Sequence, residues 1–265
     1  GSLSEPDAQA ALGRISTTID LDSAADADLV VEAVFEQLDV KHDVFRILDR
    51  ICAADTVLAT NTSAIHLRDI AGVLAQPGRL IGLHFFNPVS RMPLVEVIYD
   101  EHTGQDEIGR GAAFCNQINR YPLPVRSSPG FLVNRVLARY MLKAFQLHRE
   151  RGIAKEALDQ AAVDFGMPMG PVELADTVGL DVGLGVMGTL GSEQTAADAD
   201  ILKSYVEQGK LGKKSGEGFY VWKKGKPQKD PAAGAGVNLE TLGAELMQPY
   251  LDECRACLAD GIVAA

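Results

Sequence analysis

The sequence predicts an α/β chain in two parts, a doubly wound parallel sheet followed by an all-helical region. Through the first 126 residues, short apolar runs rich in β-branched residues alternate with segments of helical periodicity. Beyond that the apolar spacing is helical almost throughout. A Ser-Ser-Pro-Gly hinge at 127–130 separates the two patterns, so the boundary falls at Arg126–Pro129.

Gly1-Ser2 reads as a cloning remnant, and the residues through Gly13 as the end of a helix. Asp28–Phe35 is an apolar run of the kind buried in parallel sheets, closed by Glu36. The helix after it carries Val40, Val44, Phe45, Leu48, Ile51 and Cys52 on one face. Asp55–Thr60 is a second strand, ending in Asn61-Thr-Ser63, and Ile65, Ile70, Val73 and Leu74 mark a short helix. Leu80-Ile-Gly-Leu83 then delivers His84 to the end of a third strand. A proline-bounded loop, Asn87 to Pro93, leads into a further β-type run, Leu94–Ile98.

Glu96 lies inside that last run, where an unpaired acid is expensive to bury. If the loop folds back, His84 and Glu96 lie side by side. A carboxylate on one ring nitrogen fixes the tautomer and leaves the other as a base; the plainer alternative has His84 ending a strand and Glu96 facing water. In doubly wound sheets ligands bind beyond the carboxyl ends of the strands, where Glu36, Ser63 and His84 each fall. For Ser63 the alternative is a helix cap, a role Thr62 could also take. Lys41 also reads as a solvated helix lysine.

A helix is expected over 106–118 and a strand over Tyr121–Val125. From Phe131 to Arg151 the residues Val133, Leu137, Tyr140, Met141, Ala144, Phe145 and Leu147 repeat at helical spacing. Asn134 sits on its first turns, either reaching into a cleft or bonding at the helix start. Gly166-Met-Pro-Met-Gly-Pro171 punctuates one helix and starts another. Leu211–Trp222 is a glycine-lysine loop leading into an aromatic, strand-like run. Its glycines are in the wrong order for a phosphate loop, so it reads as a packing turn, with Lys213 or Lys214 as alternative phosphate contacts. After a polar stretch at 223–236, a helix over 239–258 echoes the earlier long one at an offset of 109 residues, matching Leu137 to Leu246 and Leu142 to Leu251.

A net charge of −11 over 265 residues argues against nucleic acid, and is awkward for anionic ligands without local donors. No apolar run approaches the roughly 18 residues of a membrane span. Four cysteines lack framework spacing, which suggests a reducing compartment, and Cys254-x-x-Cys257 reads as packing rather than metal binding.

His84-Phe-Phe-Asn87-Pro followed by Leu94-Val-Glu96 resembles the signature of the L-3-hydroxyacyl-CoA dehydrogenases of fatty-acid β-oxidation, and further matches run from Asp28 to about Trp222. The resemblance implies NAD as cofactor, an acyl-CoA substrate, and His84 as general base oriented by Glu96. Asn61-Thr-Ser63 resembles the family turn whose Ser meets substrate and nicotinamide. Ala33-Val34-Phe-Glu36 with Lys41 resembles the segment flanking the nicotinamide ribose, and Asn87 would support His84 at the cofactor side. Gly130-Phe-Leu-Val-Asn134-Arg resembles the motif whose Asn contacts the substrate oxygen. Also implied are a cytoplasmic location and either a homodimer or a place in a multifunctional β-oxidation complex.

By the same resemblance, 1–126 is a partial Rossmann-like NAD-binding domain lacking its first β-α-β unit, and 127–222 is the family's helical C-terminal domain. Residues 223–265 are then a linker and the first helix of a second helical repeat. No G-x-G-x-x-G follows a strand in the sequence, so weak or absent NAD binding is expected of these 265 residues. Two other readings stand beside this one: a non-catalytic helical interaction module, and a related NAD-dependent hydroxy-acid or sugar-acid dehydrogenase.

Overall fold

The computed structural model describes residues 3–190 and 193–264, which leaves Gly1-Ser2 outside the described residues. The chain divides into two compact units, one of residues up to Thr62 with Leu67–Leu123, the other of Ser63–His66 with Pro124–Ala265.

In the first unit, α1 (Glu5–Leu12) is a whole short helix, with the Ser4 side chain accepting from Asp7 N. The strands and helices then alternate as β1 (Leu29–Glu32), α2 (Leu38–Ile51), β2 (Val57–Thr60), α3 (Leu67–Ala71), β3 (Leu80–Phe85), β4 (Leu94–Tyr99), α4 (Gln105–Gln117) and β5 (Tyr121–Arg126). The sheet order is β1-β2-β3-β4-β5. β1, β2 and β3 are parallel, and β4 runs antiparallel to β3. That reversal follows from the short proline-bounded loop, because two parallel strands need a longer crossover.

The central strands are buried on both faces, with Leu58, Leu80 and Ile98 on one of them. Val57, Ala59, Ile81, Leu83, Val95 and Val97, spaced two apart along their strands, are fully buried with Cys115 of α4. Each buried Val, Ile or Leu among them contributes about 1.5–3 kcal/mol, and together they hold the site-bearing strands against α4. Gly82 lets β3 and β4 approach: a Cβ there would lie 2.7 Å from Ile98 Cβ, its partner in the register.

β1 is four residues shorter than the run that predicted it. The cause is Glu32, whose Oε1 accepts the Val34 amide at 2.7 Å and turns the backbone out of the ladder. Ala33 to Phe35 therefore leave the sheet and are exposed, as is Val31 on the edge strand.

The second unit contains α5 (Val133–Arg151), α6 (Lys155–Phe165), α7 (Pro171–Val178), α8 (Leu180–Leu190), α9 (Glu193–Glu207), a small hairpin of β6 (Trp222–Lys223) and β7 (Lys226–Pro227), and α10 (Leu239–Ala259). α5 starts two residues later than its apolar periodicity predicts. Gly130 and Phe131 both have positive φ, 73° and 54°, and Phe131 is buried in that turn. Burying the ring offsets a conformation a bulky residue rarely adopts.

The Leu211–Trp222 stretch is a packing turn around one acid. Asp176 is fully buried and accepts from Phe219 N, Tyr220 N and Trp222 Nε1 at 2.8, 2.9 and 2.9 Å. Burial still lifts its pKa above the ordinary value against those donors. Gly212, at φ 94°, passes where a Cβ would lie 2.3 Å from the Asp176 carbonyl oxygen. The aromatic run expected to be a strand thus turns inward, and pairing begins at Trp222. Lys214 pairs with Asp181 at 2.5 Å and Lys213 lies over the Trp222 ring at 5.3 Å.

α10 packs on α5 and α6, with Leu242, Leu246 and Met247 in the same core as Tyr140, Phe145 and Leu158. Among the described residues no helix is long and apolar enough to cross a membrane.

Candidate active site

The antiparallel register places His84 directly across from Glu96. His84 Nδ1 lies 2.7 Å from Glu96 Oε2, and both side chains are buried, Glu96 completely. A charged acceptor on Nδ1 makes that nitrogen the N–H donor, so Nε2 carries the lone pair of the neutral ring. The Phe86 ring packs against the imidazole at 4.6 Å in an edge arrangement, which restricts its rotation. Asn87 follows at the exposed head of the loop, joined to Pro88 by a cis bond.

Asn61 ties the ends of neighbouring strands together. Its backbone N–H donates to the Glu32 carbonyl at 2.8 Å, and its Oδ1 accepts from Phe85 N at 3.1 Å. The residue after His84 is thereby fixed to the end of β2, and the site is braced along its strand ends.

A second polar cluster sits at the carboxyl end of β1. Lys41, on the first turn of α2, is 1% exposed. Its Nζ meets Glu32 Oε1 at 2.9 Å and Oε2 at 3.1 Å, and Glu36 Oε2 at 3.2 Å. This rules out the solvated-lysine reading. Lys41, Phe45 and Leu48 share the buried face of α2 at i, i+4, i+7 spacing, a signal present in the sequence. Glu36 also accepts from Thr62 Oγ1 at 2.5 Å, which ties Thr62 to an acid.

Glu32 and Thr60 are additions that the sequence reading missed. Glu32 is 4% exposed and accepts from Thr60 Oγ1 at 2.8 Å besides Lys41 and Val34 N. An acid in the middle of a β-branched run was its signal. Ala33 and Val34, also expected at the cofactor, lie exposed in the turn that Glu32 makes.

In the second unit the structure brings Asn134 to Ser63: Asn134 Nδ2 donates to the Ser63 carbonyl at 3.3 Å. This is long for a hydrogen bond, but it gives the first turn of α5 a fixed partner in the Ser63–His66 segment. Among the described residues no group of three or more His, Cys, Asp or Glu could hold a metal.

Comparison with known proteins identifies the family. Residues 1–128 match the model of the 3-hydroxyacyl-CoA dehydrogenase NAD binding domain, and residues 130–222 match that of the 3-hydroxyacyl-CoA dehydrogenase C-terminal domain. The chain is 40% identical over 267 aligned positions to a fatty acid oxidation complex subunit alpha from Shewanella amazonensis; the match takes in 95% of this chain and 37% of that protein's length. It superposes on FadB2 of M. tuberculosis with a TM-score of 0.78 at 35% identity, covering 83% of this chain and 80% of that one. For the (S)-3-hydroxybutyryl-CoA dehydrogenase PaaH1 of Ralstonia eutropha the TM-score is 0.76 at 36% identity, covering 84% and 80%. With two family models matched in succession over residues 1–128 and 130–222, and solved relatives at 35–36% identity covered over 80% of their chains, the chain belongs to the 3-hydroxyacyl-CoA dehydrogenase family.

Proposed function

We propose that the protein oxidises an L-3-hydroxyacyl-CoA to the 3-ketoacyl-CoA in fatty-acid β-oxidation, with NAD as oxidant. The observation that carries this reading is the buried His84–Glu96 pair, with Nδ1 and Oε2 at 2.7 Å. His84 Nε2 takes the hydroxyl proton as the substrate alcohol is oxidised. Glu96 holds the ring in the tautomer that exposes Nε2 and stabilises the imidazolium that forms. NAD, when bound, supplies the hydride acceptor.

The donor set at the end of β1 suits the ribose end of that cofactor. Glu36, its side chain 41% exposed, offers a carboxylate to hydroxyl donors, and Lys41 anchors it. Ala33, Val34 and Asn61 flank the same strand ends. Ser63 and Asn134 are proposed to hydrogen-bond the reacting oxygen, and Asn87 to support the cofactor side. These roles rest on the match of the motifs to the family.

That the Shewanella relative is a subunit of a fatty acid oxidation complex supports membership of such a complex over a homodimer, which sedimentation velocity would separate. The four free cysteines fit a reducing, cytoplasmic setting. The test of function is acetoacetyl-CoA reduction with NADH. His84→Gln should lower kcat by about 10²–10⁴ with KM little changed, and an unchanged rate would remove His84 from the mechanism.

A further inference from the structure

We infer that Glu32 is a positioning residue for the cofactor end of the site, acting through Lys41 and the Val34 amide; this rests on the function proposed above. Its carboxylate is filled on both oxygens. Oε1 accepts from Lys41 Nζ at 2.9 Å and Val34 N at 2.7 Å, and Oε2 from Lys41 Nζ at 3.1 Å and Thr60 Oγ1 at 2.8 Å. A carboxylate has about four acceptor positions, so its geometry is over-determined from three directions.

The Glu32 and Lys41 side chains are 0% and 1% exposed. A buried ion pair is poor evidence of stabilisation, since apolar residues of similar volume serve a core equally well. What this pair does is local. Through Val34 N it bends the chain out of β1 and sets the path of 33–36. Through Lys41, whose Nζ also lies 3.2 Å from Glu36 Oε2, it anchors the acid that faces outward. Glu32 also neutralises the ammonium, so the cluster offers acceptors to neutral hydroxyls such as a ribose diol and does not offer a free cation to a phosphate.

The test is Glu32→Asp, which keeps the charge and shortens the reach by one methylene. Thr60→Val, which removes only the hydroxyl on Oε2, is the milder second variant should Glu32→Asp fold poorly. Ile98→Val, which thins the core of the same unit, controls for stability. NADH affinity is read by NMR titration of the full 265-residue chain, alongside Val34 amide exchange, the Lys41 ammonium signal and the kinetics of acetoacetyl-CoA reduction. We expect Glu32→Asp to weaken NADH binding and raise its KM about tenfold, to speed Val34 exchange beyond the Ile98→Val control, and to change kcat at saturation less than about threefold. Thr60→Val should move the same readings in the same direction by less.

NADH affinity within about twofold of the parent, or changes no larger than those of Ile98→Val at matched stability, would overturn the inference. Should the unsubstituted chain bind NADH yet fail to reduce acetoacetyl-CoA, the proposed function fails instead. Should it bind no NADH, as the lack of a glycine turn after a strand leads one to expect, Val34 exchange and the Lys41 signal decide the inference. Both still report on Glu32 in either case, because neither needs turnover.

Discussion

Burying Glu96 completely beside His84 costs folding free energy that an apolar residue at the same position of β4 would not. Its role is therefore sought in chemistry, and Glu96→Gln separates the two. The amide keeps the size and one hydrogen-bonding oxygen but removes the negative charge that fixes Nδ1–H and stabilises the imidazolium. We expect kcat to fall by about 10²–10⁴, while the urea midpoint stays level or rises by the equivalent of about 0–2 kcal/mol. Loss of both activity and stability would instead mark Glu96 as a structural acid. This pair was legible in the sequence because an acid interrupted a β-type run and a loop could return it to His84. Glu32 carried the same kind of signal, but its run read without a break to Phe35, which hid the turn that its own side chain makes through Val34 N. The solvated alternative for Lys41 stood for a related reason: a lysine on a helix reads as solvated unless its position is set against Phe45 and Leu48, with which it shares the buried face of α2.

At the scale of elements, α5 and α10 are joined by a row of opposite charges as well as by their apolar faces. Arg135 bonds Glu253 and Asp260, Arg139 bonds Glu253, and Lys143 and Arg151 bond Glu245. All the cations are on α5, so the row fixes how α10 lies along it. Periodicity alone made α10 visible as a helix and showed its echo of α5. It could not show what the helix packs against, because charge pairs between segments about a hundred residues apart leave no local trace. The carboxyls report on the docking. Burial pushes the Glu253 pKa up, but hydrogen bonds from Arg135 and Arg139 outweigh it and leave the value below the ordinary 4.5. Glu245 is lowered by Arg151 against a smaller burial effect, with Lys143 adding to the shift. A carboxyl whose folded pKa is depressed contributes stability that is present above its unfolded value and lost as pH falls through its folded value. Thermal melting of the chain should therefore weaken as pH drops below about 4.5. Glu253→Gln should flatten that fall, at a cost of about 1–2 kcal/mol at neutral pH. Melting curves at several pH values check both, and an identical pH profile in the variant would show that Glu253 does not hold α10.

For the molecule as a whole, the fold class was readable because each layer of evidence agreed: alternating short strands and helices first, helical spacing afterwards, and a glycine-proline hinge between. The reversal of β4 was implicit in a short loop with a proline at each end. The inward turn of the aromatic run was not legible, since it depends on Asp176, a buried acid more than forty residues away from the donors it gathers. Charge is the one global property that bears directly on function. At −11 the chain repels the anionic ligands proposed for it, and the lysines that sequence alone would offer to them are engaged elsewhere. Lys41 is held by Glu32 and Glu36, Lys214 by Asp181, and Lys213 lies over Trp222. Between ligand and protein of like sign, salt screens a repulsion, and the Debye length shrinks from about 30 Å at 0.01 M to about 8 Å at 0.15 M. Raising ionic strength over that range should therefore increase kcat/KM for acetoacetyl-CoA, opposite in sign to an enzyme that steers its substrate by attraction. Stopped-flow association of NADH should speed up over the same range. A fall in either rate constant with salt would mean that a local cationic patch overcomes the overall field, and charge-reversal of exposed lysines one at a time would then locate it.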